Sequence, residues 1–265
     1  MNLENSKALN LNPKKLFTLA LVFVAVSLAV FVLTIIFFKL FGAQKNSTAR
    51  VSVQAITCAV ALVAYFFLRK KIVGEKIPDF SLPKIGRLLL LTSAGLVFSI
   101  APYFIAYDFD RIIWGNFRAE LIFAATVFSL NAAIFEEILH RDLLFRFLLS
   151  RFHLWVAFFG QLFLFVGVHF FIYKITWINC LSLGIAGILF SLLWLLTKDF
   201  IASMLAHFIS NFVIMMFNGV FTQQVARAGL LSGDPSLFAV LLHIGCESIM
   251  VFLVLYILIK KKFFA

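Results

Sequence analysis

The chain has 265 residues, of which 63% are hydrophobic and only 13% charged. That balance excludes a soluble globular domain, because a soluble chain of this size needs a charged exterior. The net charge of +11 sits in short Lys/Arg clusters between apolar runs, a pattern of membrane topology and headgroup contact rather than nucleic-acid binding.

A spanning helix needs about 20 mostly apolar residues. Such runs cover 16–38, 51–68, 88–107, 119–139, 154–173, 175–196, 200–221 and 236–259. The expected fold class is therefore all-α, a polytopic transmembrane helix bundle of about eight spans. The first run follows Lys14 and Lys15, exceeds a signal-peptide core and lacks a small-residue cleavage site, so it reads as a retained span. Asn46-Ser47-Thr48 fits a glycosylation acceptor by chance. The fourth run is expected to continue as helix through Leu149, turning amphipathic where charges begin. Cys58, Cys180 and Cys246 lie inside apolar runs without metal-ligand spacing and read as small buried residues. In the sixth run Gly184, Ala186 and Gly187 give a packing signal short of a strict GxxxG. The runs divide the chain into N-terminal helices (1–118), a helical core (119–221), and a C-terminal loop with the last span (222–265).

Basic residues concentrate on one side of these spans: Lys14, Lys15, Arg69, Lys70, Lys71, Arg146, Arg151, Lys198, Lys260 and Lys261 among them. The asymmetry puts both termini in the cytoplasm, and the expected location is multi-pass in a prokaryotic plasma membrane.

Ionisable groups inside a bilayer cost about 2.5–3.5 kcal/mol each on insertion scales, so each calls for a reason. The first group is FEEILHRDLL, Phe135 to Leu144. Glu136 and Glu137 point about 100° apart around a helix. Glu137 can pair with Arg141 four residues on, while Glu136 shares the neighbouring face with His140 and has no cation. His169 ends FVGVH, with Gln161 near the same face. Ser203, His207 and Asn211 form one polar stripe, which could equally be glue between helices. His243 and Glu247, four apart in the last span, read as a self-satisfied pair.

Three of these groups form ordered motifs: EEILHR from Glu136 to Arg141, FVGVH from Phe165 to His169, and HFISN from His207 to Asn211. In that order they match EExxxR, FxxxH and HxxxN, and the stretch of about 120–215 resembles the CAAX-protease and bacteriocin-processing membrane peptidases, which include Ras-converting-type enzymes. Asp142 stands where the family commonly has Gly, and Thr197-Lys198-Asp199 replaces its usual Gly-containing turn.

The resemblance implies an intramembrane endopeptidase acting near the cytoplasmic membrane face through a glutamate-activated water. Glu136 would be the base, with His169 positioning the water and His207 and Asn211 donating to the oxyanion. Glu137 and Arg141 would hold Glu136 in place. The expected substrate is a hydrophobic peptide or membrane protein, with the bilayer as the other partner and no nucleic acid. No cofactor is expected. A zinc version held by Glu and two His is the alternative, weakened by the lack of HExxH and by Asn being a poor zinc ligand. A membrane binding partner without proteolysis (bacteriocin immunity or a kinase scaffold) is a second reading. A proton-coupled transporter is a third, but it predicts inverted repeats that the sequence lacks.

Overall fold

The computed structural model describes residues 12–40, 47–75, 82–106, 112–170, 176–221, 226–227, 229–231 and 236–261. Asn46, Lys76, Lys262 and the expected end of the fifth span at 171–173 lie outside the described residues. Among those described are eight helices: α1 (Pro13–Leu40), α2 (Ser47–Leu68), α3 (Leu82–Ala106), α4 (Ala119–Leu149), α5 (Leu154–His169), α6 (Trp177–Thr197), α7 (Phe200–Asn218) and α8 (Leu237–Lys260). A π-helical turn, Arg69–Val73, extends α2. Two-residue strands Val220–Phe221 and Ala226–Arg227 pair antiparallel after α7.

Six helices are long and apolar enough to cross a membrane; the apolar part of α3, Thr92–Ala106, and all of α5 are shorter. Large apolar side chains cover the outside, with Leu28, Val63, Phe163 and Phe252 each more than half exposed. In water such a surface would aggregate; against lipid it is the natural exterior, since helices satisfy their own backbone groups. The chain is an all-α integral membrane bundle.

Inside the bundle, α7 packs against α4, α3 and α6, while α8 lies across α6 and α3. Side-chain caps set several helix starts: Asp199 accepts from the Ile201 amide at 3.0 Å, and Thr176 and Ser236 cap α6 and α8. The turn between α6 and α7 is tight, and Lys198 closes it in the left-handed region at φ 57°.

α4 begins as α-helix over Ala119–Glu137, widens to π-helix over Ile138–Phe145, and ends in the α-helical turn Arg146–Leu149. The expected continuation through Leu149 holds, but the expected amphipathic character does not. Arg141, Asp142 and Arg146 are buried rather than solvated, because each finds polar partners inside the bundle. Asp142 accepts from the Tyr65 hydroxyl, and Arg146 Nη1 reaches its other oxygen at 3.2 Å. Arg146 pairs with Glu75, and Arg69 donates to Glu75 Oε2 at 2.7 Å. Buried charge is tolerated only with such pairing, and here it fastens the end of α2 to the end of α4.

Candidate active site

Glu136 sits at the end of the first α-helical part of α4, just before the π-helical stretch. Its Oε2 is buried and has no hydrogen-bond partner among the described residues. It lies 3.7 Å from His169 Nε2 and 3.9 Å from His207 Nε2. Each ring is aimed by its other nitrogen. His169, the last residue of α5, donates from Nδ1 to the Phe165 carbonyl oxygen at 2.7 Å. His207 donates from Nδ1 to Glu137 Oε1 at 2.9 Å, and its ring stacks on Phe190 at 4.7 Å. The two histidines, on different helices, therefore meet at one carboxylate.

The neighbouring carboxylate faces the other way. Glu137 is fully buried and lies 3.2 Å from Arg141 Nη1, the pairing expected from their spacing. Arg141 lies over the Phe165 ring at 4.3 Å and the Phe190 ring at 5.5 Å, and it donates to the Gly187 carbonyl oxygen at 3.2 Å. Gly187 makes this approach possible: a Cβ there would meet Leu162 Cδ1 at 2.7 Å. The sequence reading had Glu137 and Arg141 hold Glu136. In the structure Glu137 accepts from His207, whose other ring nitrogen lies 3.9 Å from Glu136 Oε2.

Glu136, His169, His207 and Asn211 all line one cavity of about 510 Å³. Residues 118–213, which contain all four, match the family model of type II CAAX prenyl endopeptidase Rce1-like proteins. This segment is Rce1-like. It runs from the start of α4 into α7, and its family is one of proteases, which supports a hydrolase. No curated protein and no solved structure matches the chain significantly.

Several other polar groups of the Rce1-like segment make contacts within the bundle. His140 sets its ring edge-on to Phe165 at 5.2 Å. Gln161 accepts from Ser191 at 2.7 Å, and Ser203 donates to the Phe200 carbonyl oxygen at 2.8 Å. Of the Ser203–His207–Asn211 stripe, only the last two line the cavity.

The cavity also draws on helices outside that segment. Tyr103 of α3 and His243 and Glu247 of α8 complete its wall, with Ser210, Asn179 and Asn218 among its further polar residues. The sequence reading missed Tyr103, Ser210, Asn179 and Asn218, because a lone polar residue on an apolar helix carries no spacing signal. The expected pair is present, with His243 Nε2 3.4 Å from Glu247 Oε1, and Glu247 also accepts from Ser210 at 3.1 Å.

From Glu136 the cavity runs to the bundle end where α6 and α8 begin and α7 finishes, as Asn179, Asn218 and Ala239 mark. Arg69, Glu75 and Arg146 lie at the opposite end. Among the described residues, no group of three His, Cys, Asp or Glu side chains is spaced to hold a metal ion.

Proposed function

We propose that this chain is an intramembrane endopeptidase in which Glu136 activates water for attack on a peptide bond. The observation that carries the reading is the unpartnered Glu136 Oε2 between two imidazoles, each oriented by its far nitrogen, on the wall of a large cavity.

A water about 2.8 Å from both Glu136 Oε2 and His169 Nε2 would give one hydrogen to each. Glu136 takes the proton as the water oxygen bonds to the peptide carbonyl carbon. When the C–N bond breaks, the same carboxyl returns that proton to the leaving amine. His207 Nε2 and the Asn211 amide are the donors to the oxyanion. With Nδ1–H committed to Glu137, His207 donates through a proton on Nε2, and the charge of that form falls beside the Glu137 carboxylate. None of these steps calls on a metal.

The apolar walls formed by Phe165, Leu183, Ala186 and Ile214 suit a hydrophobic peptide or the tail of a membrane protein. The Rce1-like match adds prenylated C-terminal peptides to the substrates worth testing.

The test is cleavage of quenched hydrophobic peptides by purified wild type and Glu136→Gln in detergent, with and without a chelator. Cleavage that disappears in Glu136→Gln and survives the chelator is the expected result. Loss with chelator would assign a metal to the site. A folded wild type that cleaves nothing while retaining peptide would favour the membrane binding partner.

A further inference from the structure

The α8 pair His243 and Glu247 has no part in the chemistry above, yet both side chains face the cavity. Each is only 7% exposed. Glu247 spends Oε1 on the Ser210 hydroxyl, while Oε2 has no hydrogen-bond partner among the described residues. His243 Nε2 lies 3.4 Å from Glu247 Oε1 but outside hydrogen-bond geometry, and neither ring nitrogen has a hydrogen-bond partner among the described residues. A carboxylate and an imidazole that line the cavity are thus held in the bundle interior with buried polar atoms that make no hydrogen bond among the described residues. Leaving such groups unmatched is costly in a low-dielectric setting.

The charge of the cavity says what would match them. Its lining includes two carboxylates, Glu136 and Glu247, and no Lys or Arg among the described residues. Arg141, a buried cation on α4, is held by Glu137, Gly187 and two phenyl rings. An anionic ligand group would meet repulsion here, whereas a cation would gain a charge-assisted hydrogen bond from Glu247 and an acceptor nitrogen from His243. Tyr103, whose ring centroid is 6.4 Å from that of His243, adds an aromatic wall suited to a cation.

We propose that Glu247 and His243 form a substrate-binding subsite that takes an ammonium or guanidinium group of the peptide. The inference rests on the peptidase reading for the word substrate, but the subsite itself is a binding claim. Ser210 ties it to the chemistry, because it follows His207 by three residues and precedes Asn211 on α7 while holding Glu247 in place.

Binding is measured to the Glu136→Gln protein in detergent, using three labelled hydrophobic peptides of one sequence. One is N-acetylated with a single lysine, one is N-acetylated with norleucine in its place, and one is the norleucine peptide with a free amine. The lysine peptide binds about tenfold or more tightly than its acetylated neutral counterpart, and this ratio falls to about one in Glu136→Gln/Glu247→Gln. Preference for the free-amine peptide instead assigns the subsite to a terminal ammonium. Equal binding of all three, or a ratio unmoved by Glu247→Gln, overturns the proposal. Should Glu247→Gln fail to fold, Glu247→Asp keeps the charge, shortens the reach and must narrow the ratio. Cleavage is not the readout, so an inactive wild type would sink the peptidase reading while leaving this result to stand or fall alone.

Discussion

Glu136 and Glu137 are adjacent in sequence and opposite in surroundings. The helical step of about 100° sends one to the cavity and the other into the packed interior. Among the described residues Glu136 has no ion pair closer than 3.7 Å, so its replacement by glutamine loosens only long contacts. Glu137 lies against both Arg141 and His207. Removing its charge leaves Arg141 buried against aromatic rings without a counter-ion, which typically costs about 3–5 kcal/mol. Thermal unfolding in detergent should therefore separate the two variants. Glu136→Gln melts within about 0.5 kcal/mol of wild type, while Glu137→Gln melts well below it. Equal melting would mean that Glu137 does not carry the Arg141 charge. His207→Ala should lower turnover about 10²–10³-fold, as loss of one oxyanion donor does, and a smaller loss would remove His207 from that role.

The helices themselves were legible in the sequence, because a bilayer demands long apolar runs and the runs have clear ends. The burial of Asp142 and Arg146 was not. Their partners include Tyr65, 77 positions from Asp142, and Glu75, 71 positions from Arg146, and local spacing carries no trace of such pairs. The glycines of α6 were legible only as a pair, and the structure separates them. Gly187→Ala drives a methyl into Leu162 and Phe165, whereas at Gly184 nothing lies within 4 Å. Gly187→Ala should cost about 1–3 kcal/mol by forcing α5 from α6, with activity falling as Phe165 shifts. Gly184→Ala should be neutral or gain up to about 1 kcal/mol from helix propensity. The same unfolding assay decides, and matching losses at both would remove the close approach as the cause. The junction of α2 and α4 carries its own pH signature. Burial alone would raise the Glu75 pKa, but Arg146 and then Arg69 outweigh it and hold the carboxyl below its ordinary value. A depressed folded-state value means the stabilisation is complete above the ordinary carboxylate pKa and is lost as pH falls through the lower folded one. Unfolding measured over about pH 3–6 should show an acid loss that Glu75→Gln flattens; an identical slope in the variant would sever Glu75 from acid stability.

The bundle has two unlike ends. One gathers Arg69, Glu75, Arg146 and Lys260, and from the basic-residue rule we propose that it faces the cytoplasm. The sequence reading placed peptide cleavage near that side, since the motifs themselves say nothing about where a cavity leads. The packing of α3 and α8 onto the Rce1-like segment completes the cavity, which runs away from the basic end. Both helices fall outside the motifs, so neither their contribution nor the approach route could be read before the fold. Asn179, exposed on the first turn of α6 and part of the cavity lining, reports on that route. With Cys58, Cys180 and Cys246 replaced by alanine, Asn179→Cys supplies a single thiol at the cavity end. A membrane-impermeant maleimide should label it from outside intact cells, and an excess of hydrophobic peptide should slow the labelling. Reaction only after the membrane is opened would reverse the orientation drawn from the basic residues. Labelling from outside that peptide leaves unchanged would instead detach Asn179 from the path a substrate takes to Glu136.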